Sequence, residues 1–247
     1  PGILVKLLDA GQRLPLHVHP SRRFATEHLA SPYGKTEAWV IVAARPGAYV
    51  HLGFARDVEA AELASWVARQ DTAAMLAASN RLPVAAGDAI LCPAGLPHAI
   101  GDGILLVEIQ EPTDFSVLLE YASFGLPDGH LGLGYELALR CVDRSAWPSS
   151  RLETLRGNGG LLPAAAGQFF RAAPCRRGDL LERGFSVLVI TAGRGTLAGE
   201  RDHLTVRRGE TLLIPYAAGE LRLDGDVGAD GEEGEVEAIR LAGAAVA

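Results

Sequence analysis

The sequence predicts an all-β protein built as two barrels, the first interrupted by a short helical insertion. Three observations carry that prediction. Short β-rich runs punctuated by Gly and Pro dominate the chain, one Ala-, Glu- and Leu-rich stretch breaks their pattern, and a motif at Gly87 to Pro93 recurs at Gly209 to Pro215. At 247 residues the chain can bury one large core or two modest ones.

The strands are read first. Ile3 to Leu8, Ala38 to Ala43, Ala89 to Cys92, Ile104 to Ile109, Ser186 to Thr191 and Thr211 to Ile214 are short apolar or alternating runs that end at turn-forming residues. Such spacing favours a sandwich or barrel. Asp57 to Ala68 and Asp71 to Asn80 instead read as two short helices, each opening on an Asp able to cap the N-terminus. Gly- and Pro-rich residues 125–165, with Ser149-Ser150 and Gly157-Asn158-Gly159-Gly160, read as a connection. The expected division is therefore residues 1–124, with the insertion at about 57–81, then the connection 125–165 and a second barrel at 166–247.

The repeat supports two barrels that differ in chemistry. Gly87-Asp-Ala-Ile-Leu-Cys-Pro93 and Gly209-Glu-Thr-Leu-Leu-Ile-Pro215 share a Gly-acid turn, a strand and a closing Pro. The first copy continues to His98, whereas the second runs Tyr216-Ala-Ala-Gly-Glu-Leu and carries no histidine, so only the first barrel is expected to hold metal. Residues 224–237 contain seven acidic residues and no basic one. A solvated loop is the preferred reading over a Ca²⁺ site, because Gly is spread through it without regular ligand spacing.

Composition narrows the partners. With 48% hydrophobic residues, 21% charged residues and a net charge of -7, nothing favours nucleic acid or anionic lipid. No run approaches the roughly 20 apolar residues of a membrane span, and no cleavable leader is evident. Cys92, Cys141 and Cys175 lie far apart and leave one unpaired in any scheme, which fits a reducing cytoplasm. Pro1 in place of Met, followed at once by a strand, fits a chain that begins inside a longer protein.

Chemistry concentrates in two places. Gly11-Gln-Arg-Leu-Pro-Leu-His17-Val-His19-Pro20 sets two imidazoles two residues apart on an extended segment, hence on one face. Gly87-x5-Pro93-x-Gly95-x2-His98 adds a third histidine at the start of the next strand. A barrel brings such strands together, and converging neutral imidazoles suit Zn, Fe, Mn, Ni or Cu. His28, His51, His130 and His203 read as ordinary core or surface histidines.

Both spacings resemble the paired motifs of the cupin superfamily, Gly-x5-His-x-His and then Gly-x5-Pro-x-Gly-x2-His. The usual cupin carboxylate soon after the second histidine is missing, since Arg23 and Phe24 stand there. Gly34-Lys35-Thr36-Glu37 and the His-Pro segment resemble the type I phosphomannose isomerases, zinc-dependent double cupins. That resemblance covers residues 4–115 well and the remainder only in double-barrel outline. It implies two jelly-roll barrels and places the family's zinc ligands on His17 (usually Gln), His19, Glu37 and His98. The resulting His₃Glu set suits Zn²⁺ and would also accept Fe²⁺, Mn²⁺ or Ni²⁺.

The resemblance further places Lys35 beside the substrate's oxygens and Glu108 at the floor of the site, the latter a candidate proton shuttle; Asp114 also has a family counterpart. One departure bears on substrate. The family has a phosphate-binding arginine ten residues after this acid, and the chain has Leu118. Arg22, Arg23 and Lys6 are the candidate replacements. The expected activity is a metal-dependent aldose-ketose isomerisation of a hexose phosphate, mannose 6-phosphate to fructose 6-phosphate in type, or of a related sugar. A sugar-binding or regulatory cupin without turnover and a metal-dependent oxygenase are the alternatives.

Overall fold

The computed structural model describes residues 2–157, 162–200, 202–225 and 234–244. In chain order its first half comprises β1 (Leu4–Ala10), β2 (His17–Val18), α1 (Arg22–His28), β3 (Glu37–Ala44), β4 (Tyr49–Phe54), α2 (Ala60–Arg69), α3 (Thr72–Ala78), β5 (Ser79–Pro83), β6 (Ala89–Cys92), β7 (His98–Ile100), β8 (Ile104–Gln110) and β9 (Val117–Leu118). They form a four-stranded sheet in the order β1-β8-β3-β6 and a five-stranded sheet in the order β5-β4-β7-β2-β9. β8 lies inside the first sheet and is buried along nearly its whole length. That is why Ile104-Leu-Leu-Val-Glu-Ile-Gln is apolar almost throughout rather than alternating.

The second half comprises β10 (Phe170–Arg176), β11 (Leu180–Leu181), β12 (Ser186–Ala198), β13 (His203–Arg207), β14 (Thr211–Ile214), β15 (Leu221–Gly225) and β16 (Val236–Gly243). All are organised around the thirteen-residue β12, which pairs β14 and β16 along its start and β13 and β15 along its end. Trp39, Leu52 and Ile100 share one apolar cluster with Phe170, Val189 and Leu241, so the halves pack on a common core. Between them lie the short helices Tyr135–Ala138 and Ser149–Glu153. Asn158 to Gly160 and residues 226–233, the greater part of the acidic run, lie outside the described residues.

The insertion is helical, with one correction to its start. α2 buries Leu63, Trp66 and Val67, spaced as one face of a helix, each side chain contributing about 1.5–3 kcal/mol by burial. It begins at Ala60 behind Glu59, which makes no side-chain cap, and not at Asp57. Asp57 instead accepts from the backbone N–H of Ala146 at 2.7 Å, a contact 89 residues away that sequence spacing cannot reveal. Asp71 does cap α3, accepting from Ala74 N at 3.1 Å. That helix stops at Ala78, because Ser79 and Asn80 open β5.

The repeat extends to individual hydrogen bonds. Gly87 and Gly209 both adopt φ +90°, a conformation that favours glycine. Gly87 N donates to Ile41 O at 2.9 Å, and Gly209 N donates to Ile190 O at 2.9 Å. In return Ile41 N donates to Asp88 O at 2.8 Å and Ile190 N to Glu210 O at 2.9 Å. Each long strand bulges just past that isoleucine.

Candidate metal centre

Register brings the histidines together. His17 on β2 lies directly opposite His98 on β7, which places both on one face of the five-stranded sheet, and His19 follows two residues on. The ring centroids are 4.2 Å apart for His17 and His98, and 4.8 Å for each pair involving His19. Each Nδ1 is held by a backbone carbonyl: His17 by Pro15 O at 2.8 Å, His19 by Phe115 O at 2.7 Å and His98 by Leu96 O at 2.8 Å. A carbonyl only accepts, so each Nδ1 carries the proton and each Nε2 presents its lone pair.

The facing sheet supplies Glu37, the first residue of β3. It gets there through a tight crossing. A Cβ on Gly34 would lie 2.6 Å from Pro20 O and from the backbone of Ser21 and Arg22, so only glycine lets this loop pass the corner after His19. Lys35 N donates to Pro20 O at 3.0 Å, and the buried Glu111 accepts from Thr36 N at 2.9 Å while pairing with Arg22 at 2.5 Å. Glu111 was not singled out from sequence, since its partners lie 75 and 89 residues away.

The donor set fits a cation. Glu37 Oε2 is 2.9 Å from His19 Nε2 and Oε1 is 3.3 Å from His98 Nε2. With both imidazoles bearing their protons on Nδ1, these are lone pairs facing lone pairs, an arrangement that calls for positive charge. Lys35 Nζ provides some, 2.6 Å from His19 Nε2 and 2.9 Å from Glu37 Oε2. His98 Nε2 is buried and has no hydrogen-bond partner. The donor atoms of His17, His19 and His98 lie within 4.8 Å of one another, as do those of Glu37, Cys92 and His98.

Electrostatics agree with neutral imidazoles around an ionised carboxylate. Burial lowers His19 to about 4, and burial with the neighbouring imidazoles holds His17 well below its usual range. Burial pushes the Glu37 carboxyl up, but His19 and Lys35 outweigh it and hold the group well below the carboxylate range. Glu108 goes the other way, pushed up to about 7 by burial and then by the charge of Glu37. It stands between Lys6 on β1 and Trp39 on β3, with Lys6 Nζ 3.4 Å away.

The remaining candidates separate clearly. Leu118 lies opposite His17 across β2 and β9, at the rim of the site, packed where a Cβ on Gly129 would meet it. Of the three possible replacements for a cation there, Arg22 is paired with Glu111, and Arg23 is exposed and paired with Glu27. Lys6 alone reaches the floor, bonding Gln110 at 2.8 Å beside Glu108. Of the four histidines set aside, His51 is buried, on the β4 face turned away from His98 because its neighbour Leu52 is the residue opposite His98.

No family model matches the chain. Mannose-6-phosphate isomerase of Streptococcus mutans is 39% identical over 113 residues, which are 45% of this chain and only 34% of that protein's length. Mannose-6-phosphate isomerase ManA of Bacillus subtilis is 28% identical over 231 residues, 90% of this chain and 72% of the relative. Among solved structures, a mannose 6-phosphate isomerase from Bacillus subtilis matches with TM-score 0.73 and 20% identity over 97% of this chain and 74% of its own. A mannose 6-phosphate isomerase bound with zinc and yttrium matches with TM-score 0.66 and 15% identity, over 99% and 80%. The fold is thus the expected cupin-like double β structure. Related sequence along most of its length and a shared fold along nearly all of it make this chain similar to the mannose-6-phosphate isomerases.

Proposed function

We propose that the chain carries the metal centre of a metal-dependent aldose-ketose isomerase acting on a hexose phosphate of the mannose 6-phosphate to fructose 6-phosphate type, with Zn²⁺ held by His17, His19, Glu37 and His98. The observation that carries the proposal is the convergence of three carbonyl-anchored imidazoles, two of them within 3.3 Å of one buried carboxylate. The first half, residues 1–124, holds this chemistry, and residues 166–247 pack on the same core, with no cluster of potential metal ligands among their described residues.

A divalent ion in this set supplies Lewis acidity toward the sugar's oxygens. The chain's own residues do the rest. Isomerisation moves a proton between neighbouring carbons, which needs a group able both to accept and to release it near neutral pH. Glu108, raised to about 7 and buried within the floor, has that property, and Lys6 holds its carboxylate form in place. Lys35 orients a hydroxyl or carbonyl oxygen by donating to it. Burial of Glu37, His98 and Glu108 keeps bulk water from the proton in transit.

Leu118 favours a second reading, in which the pocket binds a sugar without turning it over, because a leucine at the rim offers phosphate no charge. One experiment decides between them: metal content measured with mannose 6-phosphate isomerisation, with and without chelator, alongside unphosphorylated sugars. Conversion that chelation abolishes supports the isomerase. Metal-loaded protein that binds these sugars and converts none supports the binding reading.

A further inference from the structure

We propose that Cys92 is a fifth donor to the metal centre, so that this chain holds its cation in a mixed nitrogen, oxygen and sulfur set. The inference rests on the reading of His17, His19, Glu37 and His98 as ligands. A buried lone cysteine is ordinarily a small apolar filler, so position has to carry the case. Cys92 ends β6 directly opposite Glu37, the first residue of β3, which puts the two side chains on the same face of the sheet. It is 1% exposed.

Reach supports it. Donors on opposite sides of one ion, with bonds of about 2.0–2.3 Å, lie roughly 4–4.6 Å apart. The donor atoms of Cys92, Glu37 and His98 lie within 4.8 Å of one another, and those of His98, His17 and His19 satisfy the same limit. His98 therefore belongs to both groups, and its Nε2 is buried without a hydrogen-bond partner. The equivalent strand of the second half ends on Ile214 in the matching register, opposite Ser186. Thus the scaffold itself asks only for an apolar residue there.

Coordination would exchange the S–H bond for an S–metal bond, with the proton released to solvent. A thiolate makes the set softer than histidine and carboxylate alone, which biases it toward zinc and away from manganese and magnesium.

The test is X-ray absorption on the zinc-loaded protein. A sulfur shell at about 2.3 Å beside nitrogen and oxygen at about 2.0–2.1 Å is the expected result. C92S and C92A should lose that shell while keeping one zinc per chain, and C141S and C175S should retain it. A wild-type spectrum with zinc bound and no sulfur shell overturns the proposal and leaves the four-ligand reading intact. Stoichiometric zinc in both H19A and H98A, or no zinc in the wild type, overturns that underlying reading and this proposal with it.

Discussion

The two halves of this protein share a scaffold and differ in four side chains that matter. β2 meets β7 at the pair His17 and His98, while β11 meets β15 at Leu181 and Leu221. β3 meets β6 at Glu37 and Cys92, while β12 meets β14 at Ser186 and Ile214. The turn glycines, the bulges and the hydrogen bonds that close them are the same in both. The difference teaches that the barrel is specified by backbone turns and apolar pattern, which tolerate either set. A buried carboxylate among imidazoles is costly unless a cation shares the site. The second half avoids that cost with a serine that accepts from Arg240 at 3.1 Å.

Writing the second half's residues into the first should break the contrast most sharply. His98→Leu and Glu37→Ser should each weaken metal binding by more than the roughly 10–100-fold typical of losing an outer-shell partner, read as metal retained after dialysis. Retention of one metal per chain in both would remove the distinction between the halves. Gly34→Ala should come next. Its methyl group meets the backbone of Pro20 to Arg22 at 2.6 Å, so we expect a loss of about 1–3 kcal/mol in urea unfolding together with weaker metal binding, because Glu37 moves with the loop. A wild-type midpoint would contradict the crossing described here.

The pH response sharpens the comparison in the metal-free protein. His17 and His19 are held below their ordinary value, with His19 at about 4, so the unfolded chain binds more protons between about 4 and 6.5. Stability is lost there as pH falls. Glu108 has the opposite sign. With its folded value near 7 and its ordinary value 4.5, the native state binds the extra proton in that window, and stability falls as pH rises through it. Glu108→Gln should remove this second trend, so that the variant gains stability relative to wild type between pH 5 and pH 8 in chelated denaturation curves. Parallel curves would show that Glu108 titrates normally. The smallest effect belongs to the second half: Ser186→Ala removes one hydrogen bond to Arg240, and should cost about 0.5–1.5 kcal/mol without altering metal content.

Much of this was legible before any coordinates. Periodicity revealed the strands, the Gly-acid-strand-Pro pattern revealed the repeat, and the His-x-His and Pro-x-Gly-x-x-His spacings picked out three imidazoles. Those signals are local, carried within a few residues by strand alternation and turn chemistry. Glu37 came only through family resemblance, since nothing in its spacing from His19 marks it. Asp57 misled for the same reason Glu111 was missed: each side chain serves a partner more than 70 residues distant.

What the sequence by itself determined, then, was the class of fold, the doubling and the histidines. Only the tertiary structure decided that Cys92 faces Glu37, that Glu108 is buried beside Lys6, and that Leu118 borders His17. The physical reason is register. A shift of one residue in any of these strand pairs would send the side chains of the slipped strand to the opposite face, and the pairing that sets it is made between segments of the chain far apart in sequence.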